Sequence, residues 1–170
     1  MTYTSAQLNK ILKQTNEEVE RIKKIENSAN TFKVAVGERI EDARPDYNYT
    51  ETQATINELE AKIRKIKHAI NVFNTTTVIK DLNMTIDELL VYIPQLSKQK
   101  NKLASMINRP QKIRQEPDRY GYVKNIVEYN YVNYDIEEAK RDYDATIDVL
   151  AKAQLALDMV NNSAQIELDI

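Results

Sequence analysis

The chain has no cysteine and no tryptophan, only two glycines and four prolines, and no long uninterrupted apolar run. Without cysteine there is no disulfide, no thiolate nucleophile and no cysteine-bound zinc or iron–sulfur cluster. An all-β fold needs turn residues about every ten positions, and glycine and proline are too scarce to supply them. These absences exclude several classes of protein and favour long helices.

The chain has no large excess of positive or negative charge, since 24 basic and 26 acidic residues give a net charge of −2. A general nucleic-acid coat needs surplus cations, so that class is disfavoured. The first residues lead into a polar segment, and no apolar run approaches the ~18 residues of a membrane span, so we expect a cytoplasmic protein. The length of 170 residues predicts a single helical domain, 1–170.

Four stretches repeat apolar residues every three or four positions, the spacing of amphipathic helices. Capping-box sequences, with Thr or Asp three residues before Gln or Glu, stand at the start of each stretch. The predicted helices span 5–43, 51–73, 86–107 and 136–161, and Pro94 is expected to kink or break the third. Their apolar stripes predict a mainly α fold with a four-helix antiparallel bundle-like core.

Short β-strands are expected outside the helices. Residues 111–134 are rich in β-branched and aromatic side chains, and they predict a small β-hairpin insertion with strands near 112–115 and 125–133. The pair Val78 and Ile79 is also compatible with a brief strand. The alternating tail, 165–170, fits a third strand beside the hairpin.

No constellation of residues predicts an active site, a cofactor site or a metal site. The single histidine, His68, is a candidate base or metal ligand, but Arg64 and Lys65 stand where a helical metal site would place carboxylates. The paired acids Glu137 and Glu138 lie in a first helical turn, where the helix dipole favours negative charge. Neither a Gly-x-Ser-x-Gly elbow nor a phosphate-binding glycine loop occurs, so we expect no enzyme and no cofactor.

Two features predict contact with another protein. Apolar residues of the second helix follow steps of three and four, the pattern of a seam between helices. Tyrosine, which is common at interfaces, is concentrated in the hairpin, where five of the ten tyrosines fall between 120 and 134. The candidate contact residues are Ile63, Ile66, Ile70, Phe73, Tyr129 and Tyr131. We therefore expect a homo-oligomer or a module that binds another protein.

Basic stretches at 62–67 and 98–102 leave a second interpretation open, a weak nucleic-acid site on the helix faces. The alternative is a solvated face with ion pairs one turn apart, such as Glu60 with Arg64.

Three strings carry a resemblance to known proteins: 44–49 (RPDYNY), 66–74 (IKHAINVFN) and 84–96 (MTIDELLVYIPQL). Together they resemble a family of small uncharacterised bacterial proteins over most of the chain, which implies a helical fold. More distantly, the Ile-Asn-x-x-Asn-x-x-Thr run at 70–77 and the helix start at 84–89 are similar to proteins called septicolysin. That resemblance implies a membrane-active, haemolysin-like alternative, in which amphipathic helices refold onto a bilayer.

Overall fold

The computed structural model describes residues 1–115 and 127–170. Its helices are α1 (Ser5–Ala29), α2 (Ile40–Ala43), α3 (Tyr49–Thr76), α4 (Ile86–Ile107) and α5 (Ile136–Ser163). Its strands are β1 (Thr2–Thr4), β2 (Val78–Ile79), β3 (Met84–Thr85), β4 (Lys112–Arg114), β5 (Tyr129–Tyr131) and β6 (Gln165–Glu167). The strands form three antiparallel pairs, β1–β6, β2–β3 and β4–β5. The prediction of a mainly α fold with a small β-hairpin is confirmed.

The chain divides into two compact units. The first consists of Met1–Ile86 together with Asp158–Ile170, and the second of Asp87–Leu157. The single domain over 1–170 stays a prediction. No helix within residues 1–115 and 127–170 combines the length and the apolar character that crossing a membrane requires.

The first helix begins where the sequence predicts and ends earlier. The hydroxyl of Thr4 accepts from the Gln7 amide at 3.2 Å, and the Gln7 side chain accepts from the Thr4 amide at 2.9 Å, which is the predicted capping box. The predicted end at 43 is wrong, because α1 stops at Ala29. Gly37 then has a φ of +95°, outside the helical region. Phe32 and Val36, whose spacing suggested a longer helix, are exposed and mark no buried stripe.

The N-terminal cap of α3 and the continuity of α4 also differ from the prediction. Asn48, rather than Thr50, caps α3, and its side-chain oxygen accepts from the Glu51 amide at 3.3 Å. The third predicted helix has the predicted range, and it is continuous through Pro94. A break there is therefore wrong, because a proline removes only one backbone donor and the helix continues for more than three turns beyond it. The kink stays a prediction.

The core of the first unit joins α1, α3 and β6. Leu8, Ile66 and Ile166 are buried together, and partly buried apolar residues pack around them: Tyr3, Ile11, Leu12, Ala69, Ile70, Phe73, Leu168 and Ile170. Two polar contacts link the helices, Lys23 Nζ to Glu60 Oε1 at 3.1 Å and Gln53 Nε2 to Glu26 Oε1 at 2.6 Å. Since the residue numbers rise on one helix and fall on the other, α1 and α3 are antiparallel.

The C-terminal tail forms the predicted strand with a different partner. It pairs with β1, where Tyr3 lies opposite Ile166, and the predicted pairing with the hairpin is wrong. Ile166 is buried while both of its neighbours in β6 are exposed, so the alternation does reflect one buried face. That face packs against Leu8 and Ile66, which lie in the first unit and fix the position of the tail there.

In the second unit, the chain passes from α4 through β4 and β5 into α5. Leu89, Leu96 and Leu103 are buried along one stripe of α4. The hydroxyl of Tyr134, which follows β5, donates to the main-chain oxygen of Met106 at 2.7 Å. The end of β5 is thus tied to the end of α4.

Candidate partner-binding surface

The register of β4 and β5 places two cations and two tyrosines on one face. Lys112 lies opposite Tyr131, and Arg114 lies opposite Tyr129. In an antiparallel pair, residues directly opposite and residues two apart project from the same side. These four residues are called the β4–β5 face below.

Lys112 contacts both rings. Its ammonium nitrogen is 3.9 Å from the centroid of the Tyr129 ring and 5.5 Å from that of Tyr131. The two ring centroids are 6.4 Å apart, and the rings are tilted by 52°. Cations are attracted to the electron-rich faces of aromatic rings at such distances. Because Lys112 reaches diagonally across the pair, its charge lies over β5.

The strand pair is exposed on both sides. Every residue of β4 and β5 is exposed, and the exposed fractions are 42% for Tyr129, 66% for Tyr131 and 45% for Ile113 on the opposite face. Two strands that bury neither face are at best marginally stable without further packing. The tyrosines and cations are therefore accessible to another molecule.

The β4–β5 face carries two cations, Lys112 and Arg114. Neither Lys112 nor Arg114 makes an ion pair with a carboxylate in the described parts of the chain. Glu128 immediately precedes Tyr129 and so projects toward the other face. A chain with a net charge of −2 thus carries a small basic and aromatic surface.

A groove of about 470 Å³ begins beside this face. It is lined by Lys112 and Tyr131 and by the segment that leads into α5, including Val132, Tyr134 and Ile136. Asp135 also lines the groove, and its carboxylate accepts from the Glu137 amide at 2.8 Å, which caps α5. The face and the groove together form a continuous surface in the second unit.

The six residues predicted as partner contacts are divided between the two units. Four lie in the first unit, where Ile66 is fully buried, Ile70 and Phe73 pack against the core, and Ile63 is half-buried. The apolar seam of the second predicted helix thus packs against other parts of the same chain. Tyr129 and Tyr131 lie in the second unit and are exposed.

Sequence reasoning missed Lys112 and Arg114. It predicted a strand near 112–115 without its register, and the register decides which residues share a face. The sequence does contain a signal for them. Lys112 and Arg114 are two residues apart, as are Tyr129 and Tyr131, so each pair lies on one face of its strand. The predicted turn and the remaining residues of the tyrosine-rich segment, 116–126, lie outside the described residues.

The other candidate residues show no site. His68 is exposed, and in residues 1–115 and 127–170 no group of three or more His, Asp or Glu side chains is placed to hold a metal ion. Glu60, predicted to pair with Arg64, pairs instead with Lys23 of α1, because the antiparallel packing brings that ammonium within 3.1 Å.

A polar cluster in the first unit was also missed. Glu26 accepts from the Tyr47 hydroxyl and from the Gln53 amide, each at 2.6 Å, and so ties the segment before α3 to α1. The hydrogen bond to this carboxylate favours the protonated phenol and, with some help from burial, raises the pKa of Tyr47 to about 12.

Tyr47 gives the protein a specific alkaline sensitivity. Its pKa rises from 10.0 to about 12 on folding, so its stabilising contribution is complete below pH 10 and is lost as the pH rises toward 12. We expect the stability of the wild-type chain to fall more steeply across that range than that of Tyr47→Phe. Phenolate absorbance should show one late-titrating tyrosine that is missing in the variant, and identical titration curves would contradict the assignment.

Comparisons with known proteins identify a similar fold but no family and no function. No family model matches the chain, and no curated protein matches it. The septicolysin resemblance therefore has no support from them. The structure is similar to the crystal structure of a functionally unknown conserved protein from Corynebacterium diphtheriae, with a TM-score of 0.60, 16% identity, and coverage of 98% of this chain and 100% of the other. The two proteins share a fold over almost their full lengths.

Proposed function

We propose that this protein acts by binding another protein through the β4–β5 face, and not by catalysis. The observation that carries the proposal is the exposed pair Tyr129 and Tyr131 with the Lys112 ammonium over both rings. Tyrosine and arginine are enriched at protein interfaces and among the residues that dominate binding energy.

The energetics of the strand pair support the proposal. Both faces of the pair are exposed, so a partner that covers one of them buries aromatic surface that the chain itself leaves in water. The end of β5 is held by the Tyr134 hydrogen bond to Met106 and by the Asp135 cap of α5. These contacts restrain the end of β5 before a partner binds, which lowers the conformational entropy lost there on binding.

Selection of a random-peptide display library on the immobilised chain tests the proposal. We expect peptides to be enriched on the wild type and lost on the double variant Tyr129→Ser/Tyr131→Ser, because both rings are removed. Tyr49→Ser is the matched control, since Tyr49 is exposed to the same 66% as Tyr131 but lies at the start of α3. Equal enrichment on the double variant, or none on the wild type, would show the proposal to be wrong.

Solution mass separates two forms of the proposal. Sedimentation equilibrium should give 19.7 kDa if the partner is a different protein, and a multiple of it if the partner is a second copy. A multiple that returns to the single-chain mass in Tyr129→Ser/Tyr131→Ser would identify self-association through this face.

A further inference from the structure

Main-chain groups along the outer edge of β5 have no hydrogen-bond partner among residues 1–115 and 127–170. Two hydrogen bonds flank the strand pair, Gln115 N–H to Glu128 O at 3.0 Å and Val132 N–H to Gln111 O at 3.1 Å. Hydrogen-bonded and non-hydrogen-bonded pairs alternate along an antiparallel ladder. Tyr129 and Tyr131 are each one residue from a bonded position, so their N–H and C=O groups point away from β4.

Nothing in the described residues occupies that edge. Across 1–115 and 127–170, β5 has β4 as its one neighbouring strand. Tyr129, Asn130 and Tyr131 are all exposed. An accessible edge of this kind can accept an extended segment of another chain, with the ladder bonds giving affinity and the side chains giving selectivity.

The positive charge of Lys112 near this edge favours a segment that carries negative charge. Lys112 Nζ lies 3.9 Å from the Tyr129 ring, so its charge is carried from β4 onto β5. A strand added to β5 would lie about 4.8 Å away and would place alternate side chains on the β4–β5 face. A carboxylate at one of those positions would lie near the Lys112 ammonium and on the same face as Arg114. Neither cation has an ion-pair partner among the described carboxylates.

Two other occupants fit less well. A second copy of β5 would offer the sequence Tyr-Asn-Tyr, which contains no carboxylate, and would bring the same two cations. A single-stranded nucleic acid could stack on the rings and neutralise the cations, but it has no peptide ladder to pair with the N–H and C=O groups of the edge.

We infer that β5 binds an extended acidic segment of a partner protein, which adds to its outer edge as a third strand with carboxylates on the face that carries Lys112 and Arg114. The inference rests on the proposed function and names the chemistry of the partner at the same surface. Alternate residues of the segment are acidic.

The probe is a fluorescent peptide that alternates Asp with Thr, and its binding is measured by fluorescence anisotropy. We expect it to bind the wild-type chain and a Lys–Thr peptide to fail. Lys112→Gln/Arg114→Gln should weaken binding by about tenfold, the combined effect of two exposed ion pairs, and added salt should weaken it further. The matched control is Lys65→Gln/Lys67→Gln, which removes two exposed cations from α3.

A backbone-modified peptide tests strand addition directly. N-methylation of alternate residues on the ladder side removes the donors that would pair with β5, so binding should be lost while the charge is unchanged. Equal binding of methylated and unmethylated peptides overturns strand addition. Tighter binding of oligothymidine, lost in Lys112→Gln/Arg114→Gln, overturns the inference in favour of nucleic acid, and a dimer lost in Tyr129→Ser/Tyr131→Ser overturns it in favour of a second copy.

Different results of the display selection would contradict the acidic segment and the partner-binding function. If display selection yields peptides that depend on Tyr129 and Tyr131 but carry no excess of acid, the inference is wrong and the proposed function stands. If no selected peptide depends on those tyrosines, the proposed function is wrong as well.

Discussion

Ile166→Asp is expected to lower the free energy of unfolding by about 3 kcal/mol or more, whereas Gln165→Asp should change it by less than about 0.5 kcal/mol. Ile166 is only 8% exposed and packs with Leu8 and Ile66, while Gln165 is on the exposed side of the same strand. The first substitution removes a buried aliphatic side chain and puts a carboxylate among apolar neighbours. The second places the same carboxylate in water.

Urea unfolding followed by circular dichroism measures this difference. Ile166→Val is a milder variant that keeps the apolar character, and it should cost about 0.5–1.5 kcal/mol. Equal effects of the two Asp substitutions would mean that β6 does not pack on the core through Ile166, and the pairing of the tail with β1 would have to be abandoned.

Ile66→Ala should lower the free energy of unfolding by about 2–5 kcal/mol, because it opens a cavity between α1, α3 and β6. Ile66 has no exposed surface and is part of the buried cluster with Leu8 and Ile166. Ile25→Ala makes the same chemical change on α1, where the side chain is 52% exposed, and should cost no more than about 0.5 kcal/mol.

The same unfolding measurement applies to both alanine variants. It also bears on the seam that the sequence suggests for partner contact. A large loss for Ile66→Ala in the isolated chain identifies the residue as part of the chain's own core, whereas a small loss would leave the seam free for an intermolecular role.

Local sequence signals predicted local structure well. The reciprocal Thr4–Gln7 cap marks the start of α1, and apolar periodicity marks the range of α4, because both signals act within a few residues of the chain. The end of α1 was not predictable from spacing, since Phe32 and Val36 continue the pattern but lie in exposed, non-helical chain. Periodicity alone does not say whether a stripe has anything to pack against.

The candidate surface was predictable only in part. Aromatic enrichment predicted Tyr129 and Tyr131, because tyrosine favours strands and interfaces wherever it occurs. Lys112 and Arg114 depended on the strand register, which brings together residues from two separate segments. The cluster of Glu26 with Tyr47 and Gln53 joins residues more than twenty positions apart and had no local signal.

The pairing of β1 with β6 has a consequence for how the chain acquires its structure. Thr2 lies opposite Glu167, so this contact closes a loop of nearly the whole sequence. Closing a long loop costs entropy, and contacts between distant residues slow folding. During synthesis on the ribosome, Leu8 and Ile66 would stay without the cover of Ile166 until the last strand has emerged, so the first unit is completed only after translation has passed β6.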